Sequence, residues 1–170
     1  MKIKLSVCTS ILLIFYSCTP STNIYLVRHA EKLNQERESP LSEAGKLRVM
    51  ELTSIMQSKK IDHIYSSDYL RTTETVKPLA IILHKEIELY KTDSTSLILL
   101  SNKLSASKGK NFLVVGHSNT LPLMIKQLTN KNVSIKDDEY DKLFKITFKY
   151  GKTQRVNLKT KQFGNSNKRQ

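Results

Sequence analysis

Residues 23–34 read NIYLVRHAEKLN, a stretch in which β-branched and aromatic residues give way abruptly to charged ones at Arg28 and His29. Its first half, Asn23 to Val27, has the composition of a buried strand rather than a helix. In open α/β sheets, ligands bind beyond the carboxyl ends of the strands. The stretch therefore predicts that Arg28 and His29 lie at the edge of a sheet where a ligand binds.

The rest of the chain alternates strands with helices, as such a sheet requires. Further strands are predicted at residues 61–67, 86–90 and 111–117, and helices at residues 42–58, 69–84, 94–105 and 120–130. Residues 142–159 alternate apolar and polar side chains around a break at residues 150–152, which is the pattern of a hairpin. This order predicts an α/β fold, a three-layer α/β/α sandwich with a mainly parallel central sheet and a C-terminal antiparallel hairpin.

Length and charge limit the class of protein. The 170 residues fit one domain, because domains usually contain about 100–200 residues. The formal net charge is +13, but the lysines are scattered from Lys32 to Lys168 and seldom alternate with aromatic residues. We therefore expect no nucleic-acid partner, and instead a solvated basic surface or affinity for anionic ligands and membranes.

The N-terminal residues are predicted to be a targeting segment. Lys2 and Lys4 precede an apolar run, Leu5 to Tyr16, that is shorter than the roughly 17–25 residues needed to cross a bilayer. Ser17 and Cys18 after this run resemble the lipobox of bacterial lipoproteins, whose cysteine is acylated and becomes the new N-terminus. We expect an exported protein, anchored to a membrane of the cell envelope through Cys18.

Two features of this segment depart from the lipobox pattern. Phe15 stands where leucine is commonest, and Tyr16 is bulky where a small residue is usual. An ordinary signal peptide or an uncleaved anchor is the alternative. The predicted division of the chain is a signal peptide at residues 1–17, a lipidated tether at 18–22, one folded domain at 23–160 and a disordered tail at 161–170.

Polar residues follow three of the predicted strands. Arg28 and His29 follow the first, Ser66 and Ser67 the second, and His117 and Ser118 the strand at residues 111–117. Arg71 begins the helix after the two serines. Two arginines and two histidines close to helix N-termini indicate a phosphate pocket, and an imidazole can accept a phosphoryl group covalently. Taken singly, His117 could be an ordinary strand-end histidine and Arg71 a helix-surface arginine.

Three segments resemble the signatures of a known family. LVRHAEK (26–32), SSDYLRTTET (66–75) and VVGHSNT (114–120) resemble those of the histidine phosphatase superfamily, which has the phosphoglycerate-mutase-like fold, and in particular its short single-domain phosphatases. PLSEAGKLR (40–48) resembles the family's Leu-Ser/Thr-x-x-Gly-x-x-Arg helix start. The resemblance extends from Asn23 to about Phe148.

This resemblance implies an enzyme, a phosphomonoester hydrolase that needs no metal or other cofactor. His29 would be the nucleophile and form a phosphohistidine, with its second ring nitrogen held by an acceptor. Arg28, Arg71 and His117 would bind the phosphoryl oxygens, and Ser118 borders them. Water would then hydrolyse the intermediate. The substrate would be a phosphorylated small molecule or phosphoprotein, and neither its identity nor the oligomeric state is indicated.

The proton donor for the leaving group is left open by the sequence. Relatives with an aspartate directly after the second histidine use it as the acid, but this chain has Ser118 there. The candidates are Glu31, Glu86, Glu88 and Asp93. Glu31 is closest in sequence to His29, and its alternative role is a salt bridge to a pocket arginine. The short span between Arg71 and His117 argues against a phosphoglycerate-type mutase.

Other functions for the same residues would require different sequence features. A serine hydrolase built on Ser118 would need a histidine downstream, and none follows His117. The four histidines show no zinc-site spacing, and His63 and His84 match no family position. Ser66, Ser67, Ser118 and Asn119 either border the ligand or cap helices. The main alternative is a lipid-anchored protein that binds a phosphate ligand without turnover.

Overall fold

The computed structural model describes residues 20–164. In this part, six strands and four helices follow one another along the chain. They are β1 (Ser21–Arg28), α1 (Glu43–Met56), β2 (His63–Ser67), α2 (Leu70–Ile82), β3 (Ile87–Tyr90), α3 (Ser94–Ala106), β4 (Asn111–Gly116), α4 (Thr120–Thr129), β5 (Lys142–Tyr150) and β6 (Gln154–Gln162). None of these helices is both long and apolar enough to span a bilayer.

The strands form one sheet in the order β3-β2-β4-β1-β5-β6. The first four strands along the chain pair with one another in parallel, while β5 runs antiparallel to β1 and β6 antiparallel to β5. The predicted α/β fold with a C-terminal antiparallel hairpin is thus confirmed. Because β1 lies beside β4, Arg28 is level with Gly116, and His29 and His117 follow at the same edge of the sheet.

Both faces of the sheet are covered by helices. Alternate residues of β1 enter opposite cores, with Ile24 and Leu26 packed under α3 and α4 and Tyr25 and Val27 packed with residues of α1 and α2. This burial on both faces explains why the β1 sequence is almost continuously apolar. The two core clusters draw on residues 24–163, so a chain that begins at Thr19 retains every one of their residues.

The folded part extends further in both directions than predicted. β1 begins at Ser21, which pairs with Lys149 of β5, so two residues of the predicted tether at 18–22 belong to the sheet. β6 continues to Gln162 and Phe163 is buried, so three residues of the predicted tail at 161–170 also belong to the fold. The predicted signal peptide and Cys18 lie outside the described residues.

Candidate active site

His29 is held at the end of β1 in one tautomer. Its backbone N–H donates to the Gly116 carbonyl at 3.0 Å, which fixes the residue to the neighbouring strand. The ring Nδ1 lies 2.8 Å from the Ala30 carbonyl oxygen. A carbonyl can only accept, so Nδ1 carries the hydrogen and Nε2 is left with its lone pair. The acceptor expected from the family resemblance is therefore the backbone of the next residue.

The protein environment keeps His29 neutral. The side chain is only 4% exposed. Burial, and secondarily the nearby charges of Arg28, His117 and Arg71, lower the pKa of His29 from its ordinary value to about 3, although the hydrogen bond to Ala30 acts in the other direction. At neutral pH the ring is therefore an uncharged imidazole, the form that can act as a nucleophile.

His117 faces His29, and a chain of hydroxyl groups fixes its orientation. The two ring centres are 5.3 Å apart. The Thr72 hydroxyl donates to a backbone carbonyl, that of Ser67 at 2.7 Å or Tyr69 at 2.8 Å. The Ser67 hydroxyl donates to Thr72 Oγ1 at 3.1 Å, so it accepts from His117 Nε2 at 2.8 Å. His117 consequently presents an unprotonated Nδ1 on its other side.

Arg71 contacts that second nitrogen, and nearby cations lower the pKa of the ring. Arg71 Nη2 lies 3.4 Å from His117 Nδ1 and is placed to donate to it. Burial, followed by the charges of Arg71, Arg28 and Lys32, lowers the pKa of His117 to about 4. In the absence of an anion, both histidines of the site are therefore neutral near pH 7. Ser67, predicted either to border the ligand or to cap a helix, instead orients His117.

Arg28 is fixed by the segment that precedes β5. Its Nη1 donates to the Lys136 carbonyl at 2.9 Å and its Nη2 to the Tyr140 hydroxyl at 3.3 Å. The guanidinium carbon lies 4.1 Å from the centre of the Tyr140 ring, a cation–π distance. Asp137 Oδ1 is 3.9 Å from Nη2. None of these hydrogen bonds or ion-pair contacts uses Arg28 Nε.

Arg71 reaches the same place from the first turn of α2. Its Nη1 donates to the Arg37 carbonyl at 2.8 Å, and its guanidinium carbon lies 4.5 Å from the Tyr69 ring centre. Within residues 20–164, neither Arg28 Nε nor Arg71 Nε has a hydrogen-bond acceptor, although both atoms are buried. A buried donor without an acceptor costs roughly 1–3 kcal/mol, so both arginines are suited to an added anion.

These side chains line a cleft of about 280 Å³. Its lining residues are Arg28, His29, Lys32, Tyr69, Arg71, Thr92, His117, Ser118, Asn119 and Thr120. In the described part of the chain, the charged groups of this lining are all cationic. The fold thus brings together Arg28, His29, Arg71, His117 and Ser118 from three separate segments. A larger, mostly apolar groove between α1, α2 and residues 33–41 contains none of them.

The four carboxylates considered as proton donors all lie outside this lining. Glu31 receives both Nε (2.9 Å) and Nη2 (2.6 Å) of Arg48, a buried residue of α1. Its salt bridge is therefore to Arg48, not to a pocket arginine. Glu88 pairs with His63 at 2.8 Å and with Lys103 at 3.5 Å.

The other two candidates are also placed elsewhere. Asp93 caps α3, and the hydrogen bonds it accepts from the Ser96 hydroxyl and backbone N–H lower its pKa. Glu86 is exposed just before β3. The carboxylate that does contact the cleft is Asp137, which accepts from the Ser118 hydroxyl at 3.1 Å and approaches Arg28. Asp137 therefore joins the candidates for the proton donor.

Sequence reasoning missed the contribution of the segment before β5. Lys136, Asp137 and Tyr140 all contact Arg28, yet they belong to no family signature that we recognised. The antiparallel register of β5, in which Leu143 pairs with Val27, brings the residues before Leu143 to the carboxyl end of β1. The predicted hairpin would have indicated that these residues contact Arg28 only if its first strand had also been predicted to lie beside β1. Among residues 20–164, no cluster of His, Cys, Asp or Glu side chains is arranged to hold a metal ion.

Comparisons with known proteins agree with the fold. The sequence pattern of the histidine phosphatase superfamily (branch 1) matches residues 24–92. The protein histidine phosphatase SixA complexed with tungstate superposes with a TM-score of 0.61 at 16% identity, over 82% of this chain and 96% of SixA. A mycobacterial glucosyl-3-phosphoglycerate phosphatase with inorganic phosphate gives a TM-score of 0.63 at 13% identity, over 81% and 95%.

A third solved structure, titled mycobacterial hydrolase 2, superposes with a TM-score of 0.63 at 11% identity, over 82% of this chain and 89% of its own. No curated protein sequence matches the chain significantly. Identities this low establish the fold and not the substrate. The protein has the fold of the histidine phosphatase superfamily, as a short single domain similar to SixA, and its matching sequence pattern is that of branch 1.

Proposed function

We propose that this protein is a phosphatase that hydrolyses phosphate monoesters through a phosphohistidine on His29. The observation that carries the proposal is the state of His29, a neutral imidazole whose unprotonated Nε2 shares a cationic cleft with Arg28, Arg71 and His117. The cleft supplies a nucleophile and the cations that a phosphoryl group requires.

In the first step, Arg28 and Arg71 accept the phosphoryl group, whose oxygens take hydrogen bonds from their unpartnered Nε–H groups. His29 Nε2 attacks phosphorus, the P–N bond forms and the bond from phosphorus to the leaving oxygen breaks. The leaving oxygen takes up a proton from Asp137 or from a water molecule in the cleft. Nδ1–H of His29 still donates to Ala30, so the phosphorylated ring keeps its orientation. The guanidinium groups stabilise the charge of the transition state by position alone.

In the second step, water attacks phosphorus and the P–N bond breaks. Inorganic phosphate leaves and His29 returns to its neutral form. His117 contributes to both steps, because a phosphate dianion in the cleft offsets the arginine charges that disfavour a protonated imidazole. Nδ1 of His117 can then carry a proton and donate it in a hydrogen bond to a phosphoryl oxygen, while Nε2 remains on Ser67.

The state of His29 favours turnover over simple binding. A protein that only bound phosphate would gain from a histidine that donates a hydrogen bond to it. The unprotonated Nε2 of His29 cannot donate, whereas it can attack. Binding without turnover remains the second candidate, and SixA and the glucosyl-3-phosphoglycerate phosphatase suggest protein phosphohistidine and sugar phosphates as the first substrates to assay.

The location of the enzyme is part of the proposal. The apolar segment that ends at Ser17 and Cys18 supports export followed by acylation of Cys18, which would place the domain at a membrane of the cell envelope. The substrates encountered there would be exported phosphate esters or phosphorylated proteins facing the same compartment.

The test uses a chain that begins at Thr19 and an aryl phosphate as substrate, with a metal chelator present. The His29→Ala variant is expected to lose at least about 1,000-fold in kcat/KM, because nucleophile removal abolishes the covalent route. The wild-type chain, quenched during turnover, should carry one phosphoryl group on the peptide that contains His29. His84→Ala, a change at an exposed histidine, is the matched control.

Two results would contradict the proposal. Activity retained by His29→Ala would remove His29 as nucleophile. Phosphate binding by the wild type with no turnover on aryl, sugar or histidine phosphates would favour the binding protein instead.

A further inference from the structure

The outer antiparallel pair of strands carries a concentrated positive charge on one face. The β5–β6 register sets Lys145 opposite Lys159 and Lys149 opposite Arg155, while Lys161 lies opposite Leu143. Residues directly opposite each other in an antiparallel pair project from the same face of the sheet. We call these five side chains (Lys145, Lys149, Arg155, Lys159 and Lys161) the basic strand face.

The charges of the basic strand face are not neutralised by the domain itself. Four of the five side chains are exposed and Lys145 is partly buried, with its Nζ 5.4 Å from the Tyr25 ring centre. Within residues 20–164, none of the five forms an ion pair with a carboxylate. Like charges directly opposite each other destabilise a sheet. The stability of the fold therefore does not explain why these cations are present.

The face lies on the side of the sheet that α1 and α2 cover only in part. Tyr25, which pairs with Lys145, and Leu143, which pairs with Lys161, belong to the core cluster on that side. Beyond them, Lys149, Arg155 and Asn157 on this side of the hairpin are exposed. Lys59, in the short 3-10 helix that follows α1, lies near Tyr25 and adds a further positive charge beside the face.

Protection of a sheet edge accounts for only part of this charge. Lysines on an edge strand discourage pairing with other chains, and β6 is an edge strand. β5 is not, because it is hydrogen-bonded to β1 on one side and to β6 on the other. Lys145 and Lys149 of β5 therefore have no such role, and they complete both pairs of opposed cations.

The point at which the chain enters the fold suggests what covers this face. Ser21, the first residue of β1, pairs with Lys149, and it lines one cleft together with Lys149, Lys152 and Arg155. The described chain therefore enters the fold beside these cations. Cys18 is three residues from Ser21, a distance of at most about 11 Å along an extended chain.

We propose that the basic strand face docks on an anionic lipid bilayer. Each Lys or Arg near such a surface adds to binding, and a basic patch beside a lipid chain is a common second attachment signal. The proposal does not depend on acylation of Cys18 or on the phosphatase activity, since it rests on charges of the folded domain. Acylation would add to it, because the anchor and the cations would meet the same membrane.

Docking in this way leaves the active site open. β1 spans eight residues, and at the usual rise its ends are about 23 Å apart. Ser21, Lys149 and Arg155 are at one end, while Arg28 and His29 are at the other. Lys161, opposite Leu143, is the cation of the face closest to the cleft. Contact with headgroups through Lys149 and Arg155 therefore leaves the cleft accessible to soluble substrates.

The experiment measures co-sedimentation with vesicles, using the chain that begins at Thr19, which carries no anchor. We expect it to bind phosphatidylcholine vesicles with about one third phosphatidylglycerol, to bind pure phosphatidylcholine much more weakly, and to lose binding as salt is added. The triple variant Lys149→Gln, Arg155→Gln, Lys159→Gln should bind the anionic vesicles at least about 100-fold more weakly. The single variant Lys149→Gln should lose about 5-fold, which keeps the test valid if the triple variant does not fold.

A second triple variant of equal net charge is the control. Lys77→Gln, Lys85→Gln, Lys131→Gln changes exposed lysines away from the face and should retain binding. Hydrolysis of an aryl phosphate should be unchanged in both triple variants, and vesicle binding unchanged in His29→Ala. Equal binding to neutral and anionic vesicles, equal losses in the two triple variants, or tighter binding to a duplex oligonucleotide than to anionic vesicles would each overturn the proposal.

Discussion

Two buried histidines in a cationic cleft are the residues on which the proposed chemistry depends. His29 and His117 are less than a tenth exposed, and the pKa values of both lie well below that of a free histidine because of burial and the adjacent arginines. A neutral His29 is ready to attack at any pH above about 5, whereas an unperturbed histidine would be half protonated near pH 6.5.

The lowered pKa values of His29 and His117 predict how the stability of the fold depends on pH. Between pH 6.5 and pH 4 the unfolded chain protonates both histidines while the folded chain does not, so stability is complete above pH 6.5 and falls as the pH is lowered. At pH 5 each histidine should account for about 2 kcal/mol of that loss. Urea unfolding is measured at pH 7.5 and at pH 5. Between these two conditions, the free energy of unfolding of His29→Asn should fall by about 2 kcal/mol less than that of the wild type.

His84→Asn is the matched control for this measurement. His84 is exposed and has a positive φ of 50°, which asparagine tolerates. We expect this variant to lose as much stability as the wild type. If His29→Asn shows the wild-type loss, His29 is not held neutral by the fold.

At the scale of elements, the first turn of α1 locks the loop that follows His29. The Ser42 hydroxyl accepts from the Gly45 N–H at 3.1 Å, and the Ser42 N–H donates to the Glu31 carbonyl at 2.9 Å. Arg48, one turn further on, holds the Glu31 carboxylate. The family-like PLSEAGKLR pattern thus has a physical meaning, because its serine, glycine and arginine all contact Glu31, two residues after His29.

Gly45 provides the most direct test of this contact. A Cβ at this position would collide with the Glu31 carbonyl oxygen, which is backbone and cannot move without shifting the loop. In an ordinary helix interior, glycine to alanine stabilises by about 1 kcal/mol. We expect Gly45→Ala to destabilise instead, by about 1–3 kcal/mol in urea unfolding, as overpacking does. Ser54→Ala, at an exposed position of α1, should change stability little, and a Gly45→Ala variant as stable as the wild type would show that α1 does not lock the loop.

At the scale of the whole molecule, the point where the chain enters the fold and the candidate active site lie at opposite ends of β1. The chain enters at Ser21, beside the basic strand face, and the cleft opens beyond Arg28. A lipid on Cys18 would therefore hold the domain at a membrane without obstructing the site. This arrangement suits an enzyme that acts on substrates reaching the membrane surface from solution.

The anchor makes a prediction for the full chain expressed in a bacterium that processes lipoproteins. Protein extracted from membranes should begin at Cys18 and carry the mass of its acyl chains in intact-protein mass spectrometry. Cys18→Ser should abolish the added mass, while Cys8→Ser, within the predicted signal peptide, should not affect it. An unmodified mature chain would refute the anchor but leave the basic strand face to be tested by itself.

The sequence by itself determined the sheet, the helices and the residues of the site at the strand ends. Local periodicity places β1 and β4, Arg28 ends β1, and His29 and His117 come directly after the two strands, so no long-range information is needed. Only the tertiary structure decided which residues support them. Glu31 finds Arg48, and Ser67 finds His117, because helices and strands distant in sequence pack together.

The position of the last hairpin in the sheet likewise depends on tertiary structure. The pattern of residues 142–159 predicts two strands but not that β5 lies beside β1, and only that neighbour brings Tyr140 onto Arg28. The opposed cations of the basic strand face depend on the β5–β6 register in the same way. Pairing between strands depends on contacts that a one-dimensional pattern does not contain, whereas a strand and the side chain at its end are encoded in adjacent residues.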